Sequence, residues 1–199
     1  MLRVALTGGI ATGKSYVRAR IAAHGVPTMD ADAVVHALFS AGTAVSAGVT
    51  RRFGPGMVLA DGQVDRRALG ALVFQDASAR RDLEAIVHPG VYEQIAAWAA
   101  SQEQAGARWV LADIPLLFET GREREFDRVM VVACQSEEQV RRVMRRDGLS
   151  EAAALARLAA QWPIADKVRL ATDVVDTGGP FEETDRQVDA LCATLAFSL

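Results

Sequence analysis

The stretch LTGGIATGKSYV, residues 6–17, decides the fold. Within it GGIATGKS (8–15) fits G-x-x-x-x-G-K-[ST], a phosphate-binding loop. Glycines let such a loop curl until several backbone N–H groups point inward as an anion nest, and the helix that follows adds its N-terminal dipole. In that geometry Lys14 reaches the β- and γ-phosphates of a nucleoside triphosphate, and the Ser15 hydroxyl binds Mg²⁺. The motif needs a strand before it and a helix after it. LRVALT (2–7) reads as a short buried parallel strand, and KSYVRARIAAH (14–24) has helical spacing closed by Gly25. Lys14 and Lys167 are the only lysines; every other basic residue is Arg. A compact ammonium fits between phosphates where a planar guanidinium does not.

Beyond the loop, VPTMD (26–30) reads as a second strand and 31–41 as helix, a β-loop-α-β-α opening that indicates a parallel α/β fold. Residues 43–107 are mostly helical, broken by turns at FGPGM (53–57) and ADGQ (60–63). VLADI (110–114), DRVMVVAC (127–134) and TDVVDT (172–177) are strand-like. Between the last two lie Arg- and Ala-rich helical stretches, 136–147 and 150–162, meeting at Asp147-Gly148. A helix over 181–197 finishes the chain. The expected fold class is α/β: a single three-layer P-loop NTPase domain over 1–199, with a five-stranded parallel sheet flanked by helices. The helical insert follows strand two, and 136–162 is placed to stand away from the core as a lid.

Composition sets limits on function. The 199 residues are half hydrophobic and about a quarter charged, with net charge −3, as in an ordinary soluble globular protein. Nothing in that charge argues for nucleic acid or an anionic membrane, and no apolar run is long enough to span a bilayer. MLRVALTGG lacks the features of a signal peptide. Cys134 and Cys192 lack metal-ligand spacing. A cytoplasmic protein with inert thiols is expected, acting on small molecules as a monomer.

Two acidic positions follow strand-like runs and so face the sheet edge where such folds bind ligands. One is the pair Asp30 and Asp32 in MDAD; the other is Asp113 in VLADIP. Phosphoryl transfer to a hydroxyl needs a carboxylate to orient or deprotonate the acceptor and a metal near the phosphates. Asp32 is the candidate for the first task, although spacing barely separates it from Asp30, and a helix N-cap or first-turn acid is the bland alternative. Asp113 takes the Walker-B-type place, helping to hold Mg²⁺ through water. Arg142 and Arg146 lie four apart in RRVMRRD, between strands four and five, where P-loop kinases carry a lid whose arginines neutralise the transferring phosphoryl group. Arg141 and Arg145 read as surface; Arg157 and Gln161 form a further i,i+4 pair. His88, before Pro89, is either a substrate contact or a half-buried turn residue, while His24 and His36 read as structural.

A GTP-dependent switch is excluded: the chain has no Asn for an Asn-Lys-x-Asp base-reading element, and Asp113 is followed by Ile-Pro-Leu rather than D-x-x-G. A small-molecule kinase and a protein that binds ATP without turnover both remain.

With these motifs assembled, the chain resembles the dephospho-CoA kinase family. The resemblance runs through LTGGIATGKS (6–15), MDADAVVH (29–36), DGQVDRRAL (61–69), LEAIVHP (83–89), DIPLLFE (113–119), EQVRRVMRRDGLS (138–150), RLAAQ (157–161) and DVVDTGG (173–179). The resemblance implies ATP-dependent phosphorylation of the ribose 3′-hydroxyl of dephospho-CoA, giving CoA and ADP, with Mg²⁺. That reaction is the last step of coenzyme A synthesis. It implies that Gly9, Ala11, Thr12, Gly13, Lys14, Ser15 and Tyr16 line the ATP phosphate site. It matches Asp32 to the family's base and Arg142 and Arg146 to its lid arginines. Asp32, His88, Asp113 and Arg157 are the expected acceptor-side residues, with 43–107 shaping the acceptor site. Kinases for another small alcohol or a nucleotide are the alternative. The chain departs from the family pattern in three places: Ala11-Thr12 replaces Gly-Ser, Tyr16 replaces Thr, and the closing turn reads DTGG where the family has Asn.

Overall fold

The computed structural model describes residues 1–197. The chain runs through β1 (Leu2–Gly8), α1 (Lys14–Ala23), β2 (Thr28–Asp30), α2 (Ala31–Leu38), α3 (Ala44–Phe53), α4 (Arg66–Gln75) and α5 (Ala77–Gln104). It continues through β3 (Trp109–Asp113), β4 (Arg128–Ala133), α6 (Ser136–Asp147), α7 (Glu151–Ala159), α8 (Ile164–Leu170), β5 (Asp173–Asp176) and α9 (Phe181–Phe197). Among the described residues the strands form one five-stranded parallel sheet in the order β2-β3-β1-β4-β5. β1, β3 and β4 are buried along almost their whole length, which is why their sequences are continuous apolar runs rather than alternating ones. Val17 and Ile21 of α1 and Val188 and Leu195 of α9 complete the core over Val4, Leu6, Leu111, Met130 and Val132.

The topology explains where the site lies. From β1 the chain crosses toward β2 and from β3 it crosses toward β4, on the other side of β1. Ligands bind such sheets in the crevice where connections diverge, at the carboxyl ends of the strands. Leu6 is in register with Asp113, and Ile114 N–H donates to the Leu6 carbonyl at 2.8 Å. The exits of β1 and β3 are thereby locked side by side.

Two compact units make up the chain: Met1–Met29 together with the chain from Ala99 onward, and Asp30–Trp98. The second is helical. Its helices start where short polar side chains accept from the first turn: Asp30 for α2, Thr43 for α3 and Asp65 for α4. Two glycines let its helices approach closely. A Cβ at Gly48 would stand 2.9 Å from Ile86, and one at Gly90 3.2 Å from Leu38.

Three local expectations change. The helix opening at 31 ends at Leu38, because Phe39 caps it and a turn follows. A helix not anticipated from sequence, α8, begins just after the stretch expected to be helical to 162, with Pro163 as its N-cap. His88-Pro89 is not a turn. Both lie inside α5, where Val87, Val91 and Ile95 bury a continuous face. Packing of that face outweighs the hydrogen bond lost at Pro89. His88 is a half-buried helical residue whose ring meets Tyr92 edge-on at 6.0 Å.

Candidate active site

The phosphate loop leaves β1 at Gly8 and enters α1 at Lys14. Close packing dictates its first two glycines. A Cβ on Gly8 would come within 2.6 Å of the Val132 carbonyl, and one on Gly9 within 2.4 Å of the Gln139 amide nitrogen. The curl itself is made by Ala11 (φ 58°) and Gly13 (φ 86°), both left-handed, and Thr12 folds its N–H and hydroxyl back onto the Gly9 carbonyl. No side chain caps α1 and its first turn holds no acid, so its N-terminal N–H groups are available to an anion.

Asp113, at the carboxyl end of β3, has a side chain only 3% exposed. A carboxylate so buried needs compensating charge. It receives two cations: Lys14 pairs with one oxygen, and Arg18, one helical turn further along α1, stands 3.6 Å from the other. Lys14, at the start of α1, and Asp113, at the end of β3, are thereby joined. Ser15, in the first turn of α1, is exposed.

Arg142 of α6 reaches the loop. Its guanidinium donates to the Thr177 carbonyl at 2.6 Å, the Thr177 hydroxyl at 3.3 Å and the Ala11 carbonyl at 3.4 Å. Glu138, one turn earlier, accepts from Arg142 Nε at 2.8 Å; this hydrogen bond above all holds the Glu138 carboxyl below its ordinary range. The Thr177 hydroxyl in turn donates to the Thr12 carbonyl at 2.6 Å. One arginine and one threonine thereby tie the loop to the turn after β5.

The expected arginine pair is divided. Arg146 lies on the same helix face but donates to both oxygens of Asp147, at 2.7 and 3.0 Å, and Arg157 donates to Asp147 as well. The Arg146 hydrogen bond lowers the Asp147 pKa. Tyr16 is 37% exposed. Its hydroxyl donates to Asp185 at 2.8 Å, which raises the phenol pKa, and its ring packs 4.7 Å from that of Phe181.

In the helical unit, Asp30 and Asp32 have different jobs. Asp30 is the N-cap of α2, with one oxygen accepting the Asp32 N–H at 2.9 Å. Asp32 stands exposed in the first turn.

Sequence reading passed over three residues here. Arg18 carried a signal, four residues after Lys14 on the same helix. Thr177 lay in the DTGG turn. Lys167 is fully buried, 2.7 Å from Glu119 and 3.3 Å from the Gly8 carbonyl; its signal was being the second lysine in an arginine-rich chain.

The profile of the family described as Dephospho-CoA kinase matches residues 2–183. The chain belongs to the dephospho-CoA kinase family. A dephospho-CoA kinase of Geobacillus kaustophilus is 42% identical over 190 residues, covering 96% of this chain and 94% of the relative. A solved Thermus thermophilus structure is similar with a TM-score of 0.81 at 37% identity, covering 98% of this chain and 97% of that one. The solved dephospho-CoA kinase from Campylobacter jejuni gives 0.74 at 25% identity, covering 97% and 96%. The loop, Asp113, Arg142 and Thr177 all fall inside the stretch matched by the dephospho-CoA kinase profile.

Proposed function

We propose that this member of the dephospho-CoA kinase family transfers the γ-phosphoryl group of ATP to the ribose 3′-hydroxyl of dephospho-CoA, forming CoA and ADP. This is the final step of coenzyme A synthesis. The observation that carries it is the phosphate loop with Lys14 held on Asp113, in a chain that matches the family from residue 2 to 183.

In this scheme, the nest from Gly9 through Tyr16 takes the triphosphate, and Lys14 leaves Asp113 for the β- and γ-phosphate oxygens. Asp32 accepts the proton of the acceptor hydroxyl as its oxygen bonds to the γ-phosphorus and the bond to the β-bridging oxygen breaks. Asp32 suits the task better than Asp30, whose oxygen is engaged in capping. Arg142 and Arg146 supply positive charge to the transferring group, Arg146 after leaving Asp147. Residues 136–162 act as lid and 43–107 shape the acceptor site, with His88 and Arg157 as acceptor contacts.

The donor set fits Mg²⁺. Ser15 and, through water, Asp113 offer hard oxygens, and Mg²⁺ prefers one or two such protein ligands with phosphate oxygens and water completing its shell. Among the described residues no group of three or more His, Cys, Asp or Glu could hold a metal ion by itself, so the nucleotide would bring most of the ligands. Bound there, the ion would offset charge on the β- and γ-phosphates.

No helix among the described residues is long and apolar enough to cross a membrane. We place the protein in the cytoplasm as a monomer, with no nucleic-acid partner. Incubation with ATP, Mg²⁺ and dephospho-CoA should yield CoA and ADP by mass spectrometry. Turnover with a nucleoside monophosphate or a sugar, but none with dephospho-CoA, would overturn the acceptor assignment in favour of another small-alcohol or nucleotide kinase.

A further inference from the structure

Ile10 occupies the middle of the phosphate loop, and both of its backbone groups are held by side-chain amides. Its N–H donates to Gln161 Oε1 at 2.8 Å, and its carbonyl accepts from Gln139 Nε2 at 2.7 Å. The amide orientations follow from chemistry: a backbone N–H can only donate and a carbonyl can only accept. Gln139 comes from α6 and is 3% exposed; Gln161 lies just beyond α7. Glycine at position 9 is what lets the Gln139 amide in, since a Cβ there would stand 2.4 Å from its nitrogen. The side chains of Ile10 and Ala11 pack against Val140, Val143 and Ala154. The α6–α7 pair therefore does not stand clear of the core; its own small hydrophobic cluster includes the loop.

Two further contacts secure the arrangement. Trp162 N–H, adjacent to Gln161, donates to Glu119 at 3.0 Å, and Glu119 is paired with the buried Lys167, whose ammonium also donates to the Gly8 carbonyl. The loop needs such support because Ala11 sits at φ 58°, a region that costs an L-residue energy and that a glycine would enter freely.

We propose that Gln139 and Gln161 are positioning residues that grip Ile10 from opposite sides and hold the loop in its nucleotide-ready curl, joining the lid helices to the phosphate site. This rests on the ATP-dependent reading above. The two amides do opposite work, one donating and one accepting, so isosteric substitutions separate them. Glutamate at 161 can still accept from the Ile10 N–H, whereas glutamate at 139 sets a carboxylate against the Ile10 carbonyl. Both changes bring the same charge to the same residue, so charge alone predicts equal effects.

The test compares Gln161→Glu, Gln139→Glu, Gln161→Met and Gln139→Met for kcat, KM of ATP, KM of the acceptor, Tm and direct MgADP binding. Gln161→Glu should stay within about threefold of wild type in KM for ATP, while Gln139→Glu and both Met variants raise it about tenfold, the scale of one lost hydrogen bond. Acceptor KM should be unchanged. Equal losses for the two Glu variants, or Met variants that bind MgADP as wild type does, would overturn the proposal. If Gln139→Glu does not fold, the Met pair decides: a merely structural role lowers Tm while leaving ATP and acceptor KM in their wild-type ratio. MgADP affinity reads the grip even if wild type fails to turn over dephospho-CoA, so failure of the kinase assignment and failure of this proposal are distinguishable.

Discussion

Asp113 carries the sharpest consequence of a single residue. Its buried carboxylate faces Lys14 and Arg18, so Asp113→Asn removes a negative charge that both neighbouring cations share. Both cations are partly exposed and can recover hydration, which keeps the loss at or below the low end of the roughly 3–5 kcal/mol for breaking a buried pair. We expect a lower Tm that MgATP partly restores, because triphosphate replaces the missing negative charge; differential scanning fluorimetry with and without nucleotide checks this. Asp30 and Asp32 separate in the same way. Asp30→Ala removes a cap worth about 1 kcal/mol and should lower Tm by about 3 °C. Asp32→Asn should leave MgATP affinity and Tm unchanged while kcat drops by at least about 100-fold. Wild-type-like turnover in Asp32→Asn would remove it as the base.

At the scale of elements, α6 links the lid region to the loop through Arg142, which touches both Ala11 and Thr177. Arg146, one turn on, is bonded to Asp147 at the helix end. Arg142→Ala should therefore raise the MgATP dissociation constant as well as lower kcat, because the loop and the β5–α9 turn lose one of their two ties, keeping only the Thr177–Thr12 hydrogen bond. Arg146→Ala should lower kcat more than it changes MgATP binding. Steady-state kinetics paired with calorimetric MgATP titration distinguishes the two, and equal profiles would contradict the division of labour.

On the scale of the whole molecule, the core that seats β1 also buries Cys192 of α9, and burial pushes its thiol pKa up to about 11. Folding thus favours the protonated thiol. The stability this contributes is full below the unfolded-state value near 9 and is lost as pH rises through about 11. Tm should fall across that window, and Cys192→Ala should reduce the slope; an unchanged slope would place the decline elsewhere.

Much of this molecule could be read from short stretches of chain. The phosphate loop, the α/β alternation and the strand-end acids are local patterns, legible because 3.6- and 2-residue periodicities and glycine placement act over a few residues. Asp113 was marked by its position after an apolar strand. Local pattern misled at His88-Pro89, read as a possible turn, because Pro89 sits inside α5, and it gave no sign of α8, which opens after Pro163. By itself, then, the sequence determined the fold class, the phosphate chemistry and the family. Only tertiary structure decided which residues serve the loop: Lys14 meets Asp113 across 99 positions, Ile10 meets Gln161 across 151 and Thr12 meets Thr177 across 165. Such pairings depend on the sheet order β2-β3-β1-β4-β5, which brings distant strand ends to one edge. No local spacing encodes them, because hydrogen bonds and ion pairs form only between groups that the packed core has already brought within reach.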